Sequence, residues 1–401
     1  MGNSPKKRKV VVTGIGIISS LGNNKEEVWT SLKNKKSAIA FNEEYQKRGL
    51  NCQLTGKVNF NDEHIDYRIK RTLGTSGIWA YEAFSEAIKD AKLSSQDLDS
   101  DKVGIIAGTG AGSLTSYQEG IAAYQEKGVR GVSPFVVNKI MGSSASANLS
   151  TLFKTKGVSY SLSSACATGA HCIGHASQLI QSGKQDIIIA GSTEEEHWSI
   201  SMGFDLLRVL SNKGIKPFDK LREGIVLTGG AAFVVLEEYS HAKKRKAKIY
   251  AELTGYGFNS DGYNLVAPSM EGPLKCMMEA IKESDHSIDY INAHGTGTPV
   301  GDENELQCIV EAFKKSKKKP YVSSTKSLSG HALGASGSQE IVYSLLMMEN
   351  GLMIGPHIEN PVDLCTPANV LKDNLKKPIK SVMSNSFGFG GTNATVIFKK
   401  K

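Results

Sequence analysis

The chain has 401 residues, of which 40% are hydrophobic and 22% charged, so it is long enough to bury one large core or two medium ones. Its 48 basic residues exceed its 40 acidic residues by 8, which favours an acidic partner, but they lack the interleaved aromatic residues of a nucleic-acid platform. No apolar run approaches ~18 residues and the cysteines form no CxxC pair, so we expect a cytoplasmic protein without membrane spans or disulfides.

Buried strands alternate with helices in the first part of the chain. Short aliphatic or β-branched runs, most of them ended by a glycine, predict strands at residues 10–14, 103–108, 186–191 and 231–237. Helical periodicity marks residues 78–91 and 167–181. This alternation predicts an α/β layered fold with covered sheets.

The pattern restarts after a basic stretch at residues 241–248. It predicts strands at 249–255 and 288–293, a helix at 273–283 and a hairpin formed by 382–386 with 394–398. A strand–turn–helix unit that begins at residue 158 has a counterpart that begins at residue 321. We therefore predict an internal duplication with halves at residues 1–245 and 246–401.

Cys166 lies where a predicted strand meets an amphipathic helix. The positive end of the helix dipole and its free N–H groups would stabilise a thiolate at this place. Small neighbours at residues 164–169 would let a substrate approach the sulfur closely. A buried structural cysteine is the alternative, and placement by itself does not decide between the two.

Two histidines lie among small residues at predicted strand ends or turns. His294 follows a strand in the sequence AHGTGTP, and His331 lies in a turn that enters a helix. One cysteine with two histidines supplies a nucleophile and two donors for a developing oxyanion or enolate. The glycine-rich residues 387–393 would add backbone N–H groups or a moving flap. Each feature is weak by itself, and their joint occurrence is the signal.

A second histidine pair gives a competing interpretation. His171 and His175 are four residues apart on the Cys166 helix, with Cys172 between them, a pattern that would fit zinc. However, Cys172 falls off the histidine face and no third ligand of clear spacing is near, so packing or a lining role is favoured. The acidic residues 194–196 are interpreted as a polar strand exit.

Four segments of the chain resemble the elongating β-ketoacyl-acyl-carrier-protein synthases of fatty-acid synthesis. They are SACATGAHCIG at 164–174, AHGTGTPVGD at 293–302, STKSLSGHALGA at 324–335 and MSNSFGFGGTN at 383–393. The likeness runs from residue 10 to residue 398, with the motifs in family order, and is closer to type I than to type II synthases. It implies a thiolase-like fold, with two duplicated βα halves in a layered α-β-α-β-α arrangement.

The resemblance implies a catalytic role for five residues. Cys166 would carry the acyl group as a thioester, and His294 and His331 would stabilise the enolate formed as carbon dioxide leaves malonyl. Lys326 would order the surroundings of His331. The N–H groups of Cys166 and Phe389 would form the oxyanion hole, and Phe389 would also gate the acyl pocket.

The resemblance also implies binding residues and partners. Thr296 and Thr298 match threonines that bind pantetheine, Glu340 would partner Lys326 beside the substrate, and Phe204 and Ala111 match the acyl tunnel. The residues that would dock an acidic acyl carrier protein are Arg68, Arg71, Lys127 and Arg130. The substrates would be acyl and malonyl thioesters, and the chain would form a homodimer. It would need no metal or other cofactor, because the carrier protein brings the phosphopantetheine arm.

The sequence departs from the family pattern in three places. The stretch between Leu210 and Phe218 is several residues short, residues 222–225 read REGI instead of RDGF, and Gly297 replaces a usual serine.

Two alternatives to an elongating synthase are open. Initiating synthases and thiolases share the fold, but the initiating type pairs its cysteine with one histidine and an asparagine. A non-catalytic, carrier-binding relative would lack the nucleophile, whereas Cys166 is present.

Overall fold

A computed structural model describes residues 7–284, 286–356 and 358–401. Within these ranges the chain forms strands β1 (Val10–Ser19), β2 (Ile39–Phe41), β3 (Leu54–Gly56), β4 (Val103–Gly108), β5 (Ser159–Tyr160), β6 (Ile187–Glu194), β7 (Gly230–Glu238), β8 (Ala251–Ser260), β9 (Tyr290–Asn292), β10 (Tyr321–Ser323), β11 (Leu352–Met353), β12 (Leu375–Lys376), β13 (Ser381–Gly388) and β14 (Thr392–Lys399).

The helices of the same ranges connect these strands. They are α1 (Lys25–Lys33), α2 (Glu43–Lys47), α3 (Tyr67–Lys70), α4 (Thr75–Ala91), α5 (Ser95–Leu98), α6 (Leu114–Lys127), α7 (Val136–Ile140), α8 (Ser144–Phe153), α9 (Thr168–Gln181), α10 (Trp198–Leu206), α11 (Tyr239–Lys244), α12 (Glu271–Ser284), α13 (Pro299–Ala312), α14 (Lys326–Ser329), α15 (Ser336–Asn350) and α16 (Cys365–Ala368), with 3-10 turns at Val129–Gly131 and Leu333–Ala335.

Ten strands join into one mixed sheet whose two ends repeat the same topology. The strand order is β10-β9-β13-β14-β8-β1-β7-β6-β4-β5. Numbered within its own half, each set of five strands has the order 3-2-4-5-1. The pairing is also the same, since strands 2, 3 and 4 of each half are parallel and strand 5 is antiparallel to its two neighbours. This repetition supports the inferred duplication.

Two helices lie between the halves of the sheet, and two others cover its outer faces. The central helices α9 and α15 pack against each other, α9 on β4 and β6, and α15 on β13 and β7. On the outer faces, α4 packs on β1 and β7, and α12 packs on β8 and β14. The arrangement confirms the predicted α/β fold of alternating helical and sheet layers.

Strands that are buried on both faces follow the sequence prediction best. Strand β4 has the predicted limits 103–108, and β13 with β14 form the predicted hairpin. Strand β1 continues past the predicted end at Gly14 to Ser19, with all ten residues buried. Glycine is needed inside it because a Cβ at Gly16 would lie 2.0 Å from the carbonyl oxygen of Ala83 in α4. Here glycine marks close helix–sheet packing rather than a strand end.

The strand predicted to lead into Cys166 is much shorter than expected. Its hydrogen-bonded part is Ser159–Tyr160, at one end of the sheet, instead of residues 158–162. Beyond it the chain leaves the sheet to make the turn that carries the cysteine. No helix in the described part of the chain is long and apolar enough to cross a membrane.

Candidate active site

One cavity of about 320 Å³ collects residues from both halves of the chain. Cys166 reaches it from the turn before α9, and His294 and His331 reach it from the segments that follow β9 and β10. The structure therefore brings the predicted trio together. The cavity is also lined by four further predicted residues, Phe204, Thr296, Thr298 and Phe389.

The Cys166 turn has a strained backbone. Ala165 has a φ of +49°, in the left-handed region that residues with a Cβ seldom adopt. Helix α9 begins two residues after the cysteine, at Thr168. Such strain persists where surrounding contacts hold the chain, and it is concentrated at functional sites.

Burial controls the acidity of the Cys166 thiol. The residue is 7% exposed. This burial raises its pKa to about 11, although Lys326 and a hydrogen bond with the backbone of Phe389 act in the opposite direction. The expectation of a stabilised thiolate is therefore wrong for this site, because removal from water outweighs the stabilising partners. The thiol needs a proton acceptor when it reacts.

The two histidines are neutral and close to each other. Their ring centroids lie 5.5 Å apart, with the planes inclined at 84°. Burial, followed by the ammonium group of Lys326, lowers the pKa of both His294 and His331 well below 6.5. A neutral imidazole can both accept a proton and donate an N–H, so this pair can serve a thiol or an oxyanion.

Lys326 connects His294 to a buried carboxylate. Its Nζ donates to the His294 carbonyl oxygen at 2.8 Å and lies 3.4 Å from His294 Nδ1. Because an ammonium group can only donate, Nδ1 accepts and the ring proton lies on Nε2. Lys326 also forms an ion pair with Glu340, and both side chains are almost fully buried. Glu340 does not line the cavity, so it supports Lys326 rather than touching substrate.

His331 is held from both its backbone and its ring. Its N–H donates to the Val226 carbonyl oxygen at 2.8 Å, and its Nδ1 lies 2.7 Å from Ser336 Oγ at the start of α15. These contacts fix the ring between the central helix and the cavity.

Phe389 brings a backbone N–H group to the sulfur of Cys166. The two residues are joined by the hydrogen bond that lowers the cysteine pKa. Their loops are in close contact, because a Cβ at Gly388 would lie 3.1 Å from the Cys166 nitrogen. The Phe389 ring packs against Phe204, with 5.5 Å between centroids. The backbone of Phe389 therefore faces the nucleophile, and its ring contacts an aromatic residue of the cavity.

The other predicted binding residues divide into those at the cavity and those outside it. Thr296 and Thr298 line it, with 3.0 Å between their hydroxyl oxygens. Ala111 does not line it: the residue is exposed, and its N–H donates to Glu194 at 3.0 Å. The Glu194 carboxylate holds the loop that carries Ala111, and the place of Ala111 in an acyl tunnel stays a prediction.

The predicted docking residues are exposed on neighbouring surface segments. Arg68 lies in α3 and forms an ion pair with Asp66 at 2.7 Å, which neutralises part of its charge. Arg71 stacks over the ring of Phe135 at 5.0 Å, so α3 lies beside the segment that follows Lys127 and Arg130.

The histidine pair on α9 has partners other than a metal. His171 Nδ1 lies 2.7 Å from Ser164 Oγ, and His175 Nε2 lies 2.8 Å from Tyr160 Oη. Among the described residues, no group of three or more histidine, cysteine, aspartate or glutamate side chains has an arrangement that would hold a metal ion.

Two carboxylates of α13 were not predicted as site residues. Glu305 accepts from the backbone N–H groups of His294 at 2.8 Å and Gly295 at 2.7 Å. Asp302 accepts from those of Phe218 at 2.7 Å and Gly297 at 2.9 Å. Both are buried, so they fix the backbone of residues 294–297, the segment that follows β9. A signal was available, since acidic residues three apart share a helix face with the apolar Leu306 and Ile309.

A duplicated α/β fold that directs one cysteine and two histidines into a shared cavity defines a thiolase-like condensing enzyme. Residues 7–242 match the family model of the beta-ketoacyl synthase N-terminal domain, and residues 250–358 match that of the C-terminal domain. The chain belongs to the beta-ketoacyl synthase family.

Individual relatives agree with this assignment along the whole chain. The chain is 46% identical to the 3-oxoacyl-[acyl-carrier-protein] synthase 1 of Haemophilus influenzae, over 98% of this chain and 99% of the relative. A crystal structure of a beta-ketoacyl synthase from Burkholderia phymatum has a TM-score of 0.92 at 30% identity, covering 98% of this chain and 100% of the other. A type II polyketide ketosynthase, solved with its acyl-carrier protein and bound to the hexaketide, has a TM-score of 0.88 at 27% identity with the same coverage.

Proposed function

We propose that the chain is a β-ketoacyl-[acyl-carrier-protein] synthase, an acyltransferase that elongates fatty acids by decarboxylative Claisen condensation. The observation that carries the proposal is the convergence of Cys166, His294 and His331 on one cavity. The identity of 46% to a synthase of this activity, over almost the whole of both chains, supports it.

The first step transfers the acyl group to Cys166. The sulfur attacks the thioester carbonyl carbon, and the N–H groups of Cys166 and Phe389 donate hydrogen bonds to the oxygen, on which negative charge develops. The thiol proton passes to a neutral histidine and then to the departing carrier thiolate. Because the Cys166 pKa is raised to about 11, this proton acceptor is part of the reaction and not an accessory to it.

The second step forms the carbon–carbon bond. The malonyl thioester oxygen accepts N–H groups from His294 and His331 while the carboxylate leaves as carbon dioxide and its electron pair forms an enolate. The enolate carbon then attacks the acyl carbonyl carbon on Cys166, the carbon–sulfur bond breaks, and the thiolate that departs takes one proton from solvent water. Both imidazoles are neutral, because burial and Lys326 lower their pKa. The N–H group of a neutral imidazole can donate a hydrogen bond to the enolate oxygen.

The substrate arm enters along the threonine side of the cavity. Thr296 and Thr298 would bind the pantetheine amides, and Phe204 would contact the acyl chain. Acyl transfer, decarboxylation and bond formation move protons and electron pairs only, so the chain would need no metal or redox cofactor. The carrier protein would bring the phosphopantetheine arm and dock on the surface formed by Arg68, Arg71, Lys127 and Arg130.

A homodimer in the cytoplasm is the proposed state. Strand β5 lies at the end of the sheet and pairs on one side only, with β4, so a second copy would cover its free edge. Light scattering at micromolar concentration should give twice the mass of the chain, and a monomer would contradict the proposal.

Substitution of the nucleophile tests the function. Cys166→Ala should abolish condensation of malonyl-carrier protein with acyl primers, read by mass spectrometry, and should leave malonyl decarboxylation in place because the histidines perform it. Cys166→Gln should raise decarboxylation, because the amide resembles the acylated cysteine. The matched control is Cys172→Ala, in which another buried cysteine, on α9 and outside the cavity, is removed.

The same assay separates the enzyme from a carrier-binding subunit without catalysis. If the unaltered chain condenses the substrates and Cys166→Ala still does so, the assignment of Cys166 as the nucleophile is refuted. A chain that binds carrier protein but neither condenses nor decarboxylates would favour the non-catalytic alternative.

A further inference from the structure

His171 joins the two chain segments that carry the proposed oxyanion donors. Its Nδ1 lies 2.7 Å from Ser164 Oγ, two residues before Cys166. A hydrogen bond with the backbone of Asn393, four residues after Phe389, acts on the same ring. The imidazole therefore lies between the nucleophile turn and the glycine-rich loop.

The chemistry of these partners defines the state of the ring. Burial lowers the pKa of His171, so the imidazole is neutral and carries one N–H. The hydrogen bond with the Asn393 backbone raises the pKa of the imidazole, so it stabilises the protonated ring. A ring N–H therefore donates, and the carbonyl oxygen of Asn393 accepts. The ring thus donates to Asn393, and its Nδ1 accepts from the Ser164 hydroxyl. Both ring nitrogens are used, one by each segment.

Ser164 is the residue through which the strained turn is held. Its N–H donates to Thr168 Oγ1 at 2.8 Å, and its carbonyl oxygen accepts from Thr392 Oγ1 at 3.0 Å. Its hydroxyl completes the set by bonding to His171. The next residue, Ala165, has a φ of +49°, a conformation that persists only where neighbouring contacts enforce it.

We propose that His171 is a positioning residue for acyl transfer. This inference rests on the proposed function. By binding Ser164 and Asn393 together, the imidazole sets the distance between the Cys166 turn and the Phe389 loop, so that the two N–H groups bind the same oxyanion. It touches neither substrate nor sulfur. Its effect is confined to reactions at Cys166 that develop an oxyanion, and enolate formation at His294 and His331 does not depend on it.

The test compares two reactions of the same sulfur. Acylation of Cys166 by an acyl thioester passes through an oxyanion, whereas alkylation by iodoacetamide does not. In His171→Leu the acylation rate should fall by up to about 100-fold, the cost of a catalytic group displaced by ~1 Å, which is at the lower end of the about 100- to 1000-fold cost of losing an oxyanion donor. The alkylation rate and malonyl decarboxylation should stay unchanged. His171→Asn, which places an acceptor near the Nδ1 position, should restore part of the acylation rate.

A control on the same helix separates this role from helix packing. His175 lies one turn further along α9 and bonds to Tyr160 Oη, away from the nucleophile turn. His175→Leu should leave acylation and alkylation unchanged.

Three outcomes decide the matter. Acylation at the wild-type rate in His171→Leu would overturn the positioning role. An equal loss of acylation, alkylation and decarboxylation would also overturn it, because a general structural role predicts that result. A wild-type chain whose Cys166 takes no acyl group would instead refute the proposed function, and this result differs from both others.

Discussion

Removal of one partner of the buried Lys326–Glu340 ion pair should cost several degrees of thermal stability. The two side chains are 1% and 2% exposed, so Lys326→Met leaves a buried carboxylate without its counter-ion. Loss of one partner of a buried pair costs about 3–5 kcal/mol. For 401 residues, at about 2.1 cal/mol/K of unfolding entropy per residue, this corresponds to a fall in Tm of about 4–6 °C.

The double variant shows whether the pair itself is responsible. Burial raises the pKa of Glu340 to about 7 although Lys326 lowers it, so removal of Lys326 raises this pKa further, and the four proteins are compared at alkaline pH, where more of the carboxyl is charged. Lys326→Met combined with Glu340→Gln removes both charges and should recover most of the Tm lost in either single variant. Differential scanning calorimetry of the four proteins gives the comparison. A double variant that loses the sum of the two single losses would refute the reasoning.

Two further variants test charge at the surface and in the core. Arg71→Glu should raise KM for malonyl-carrier protein more than Arg68→Glu does, because Asp66 already neutralises part of the charge of Arg68. The control substrate is a small pantetheine thioester, which does not touch this surface. An equal loss of activity with both substrates would contradict docking of the carrier protein here. Burial raises the folded-state pKa of Glu196 to about 7, so stability falls as the pH rises from the ordinary carboxyl range through 7. Glu196→Gln should therefore raise Tm more at pH 8 than at pH 5, and an equal gain at both would count against this.

The strands could be predicted where burial leaves a continuous aliphatic run. Strand β4 shows such a run and matches residue for residue, since both of its faces are covered. Strand β1 was cut short at Gly14 because glycine has two meanings, a turn or a close contact. The contact of Gly14 lies with Ala87 and Ala91 of α4, and only the packed structure shows that helix against the strand.

The reactive residues were predictable from motif and order, but their electrostatics were not. The sequence placed Cys166 near a helix N-terminus, which by itself suggests a lowered pKa. The raised pKa comes from burial in a hydrophobic cluster with Ile225 and Leu333, which are distant in sequence. Glu305 was missed for a related reason, because a carboxylate in a helix looks solvent-exposed until its backbone partners are known.

The two halves share one strand topology, but the connection between the fourth and fifth strands differs between them. In each half, the fourth and fifth strands are neighbours joined directly along the chain. Between β13 and β14 this joint is only residues 389–391, a turn so short that its backbone N–H must point near the nucleophile. Between β6 and β7 the same joint extends over residues 195–229 and supplies Phe204, Val209 and Ile225 to the cavity.

The two joints have thus diverged into separate tasks. The short joint can change little without displacing the Phe389 N–H that faces Cys166, whereas the long joint can vary in length and side chains while Cys166, His294 and His331 keep their places. Variation in substrate size among relatives of this chain should therefore accumulate in the long joint, and the contraction between Leu210 and Phe218 lies there. Grafting residues 195–229 between relatives would alter the preferred acyl chain and leave the chemistry unchanged.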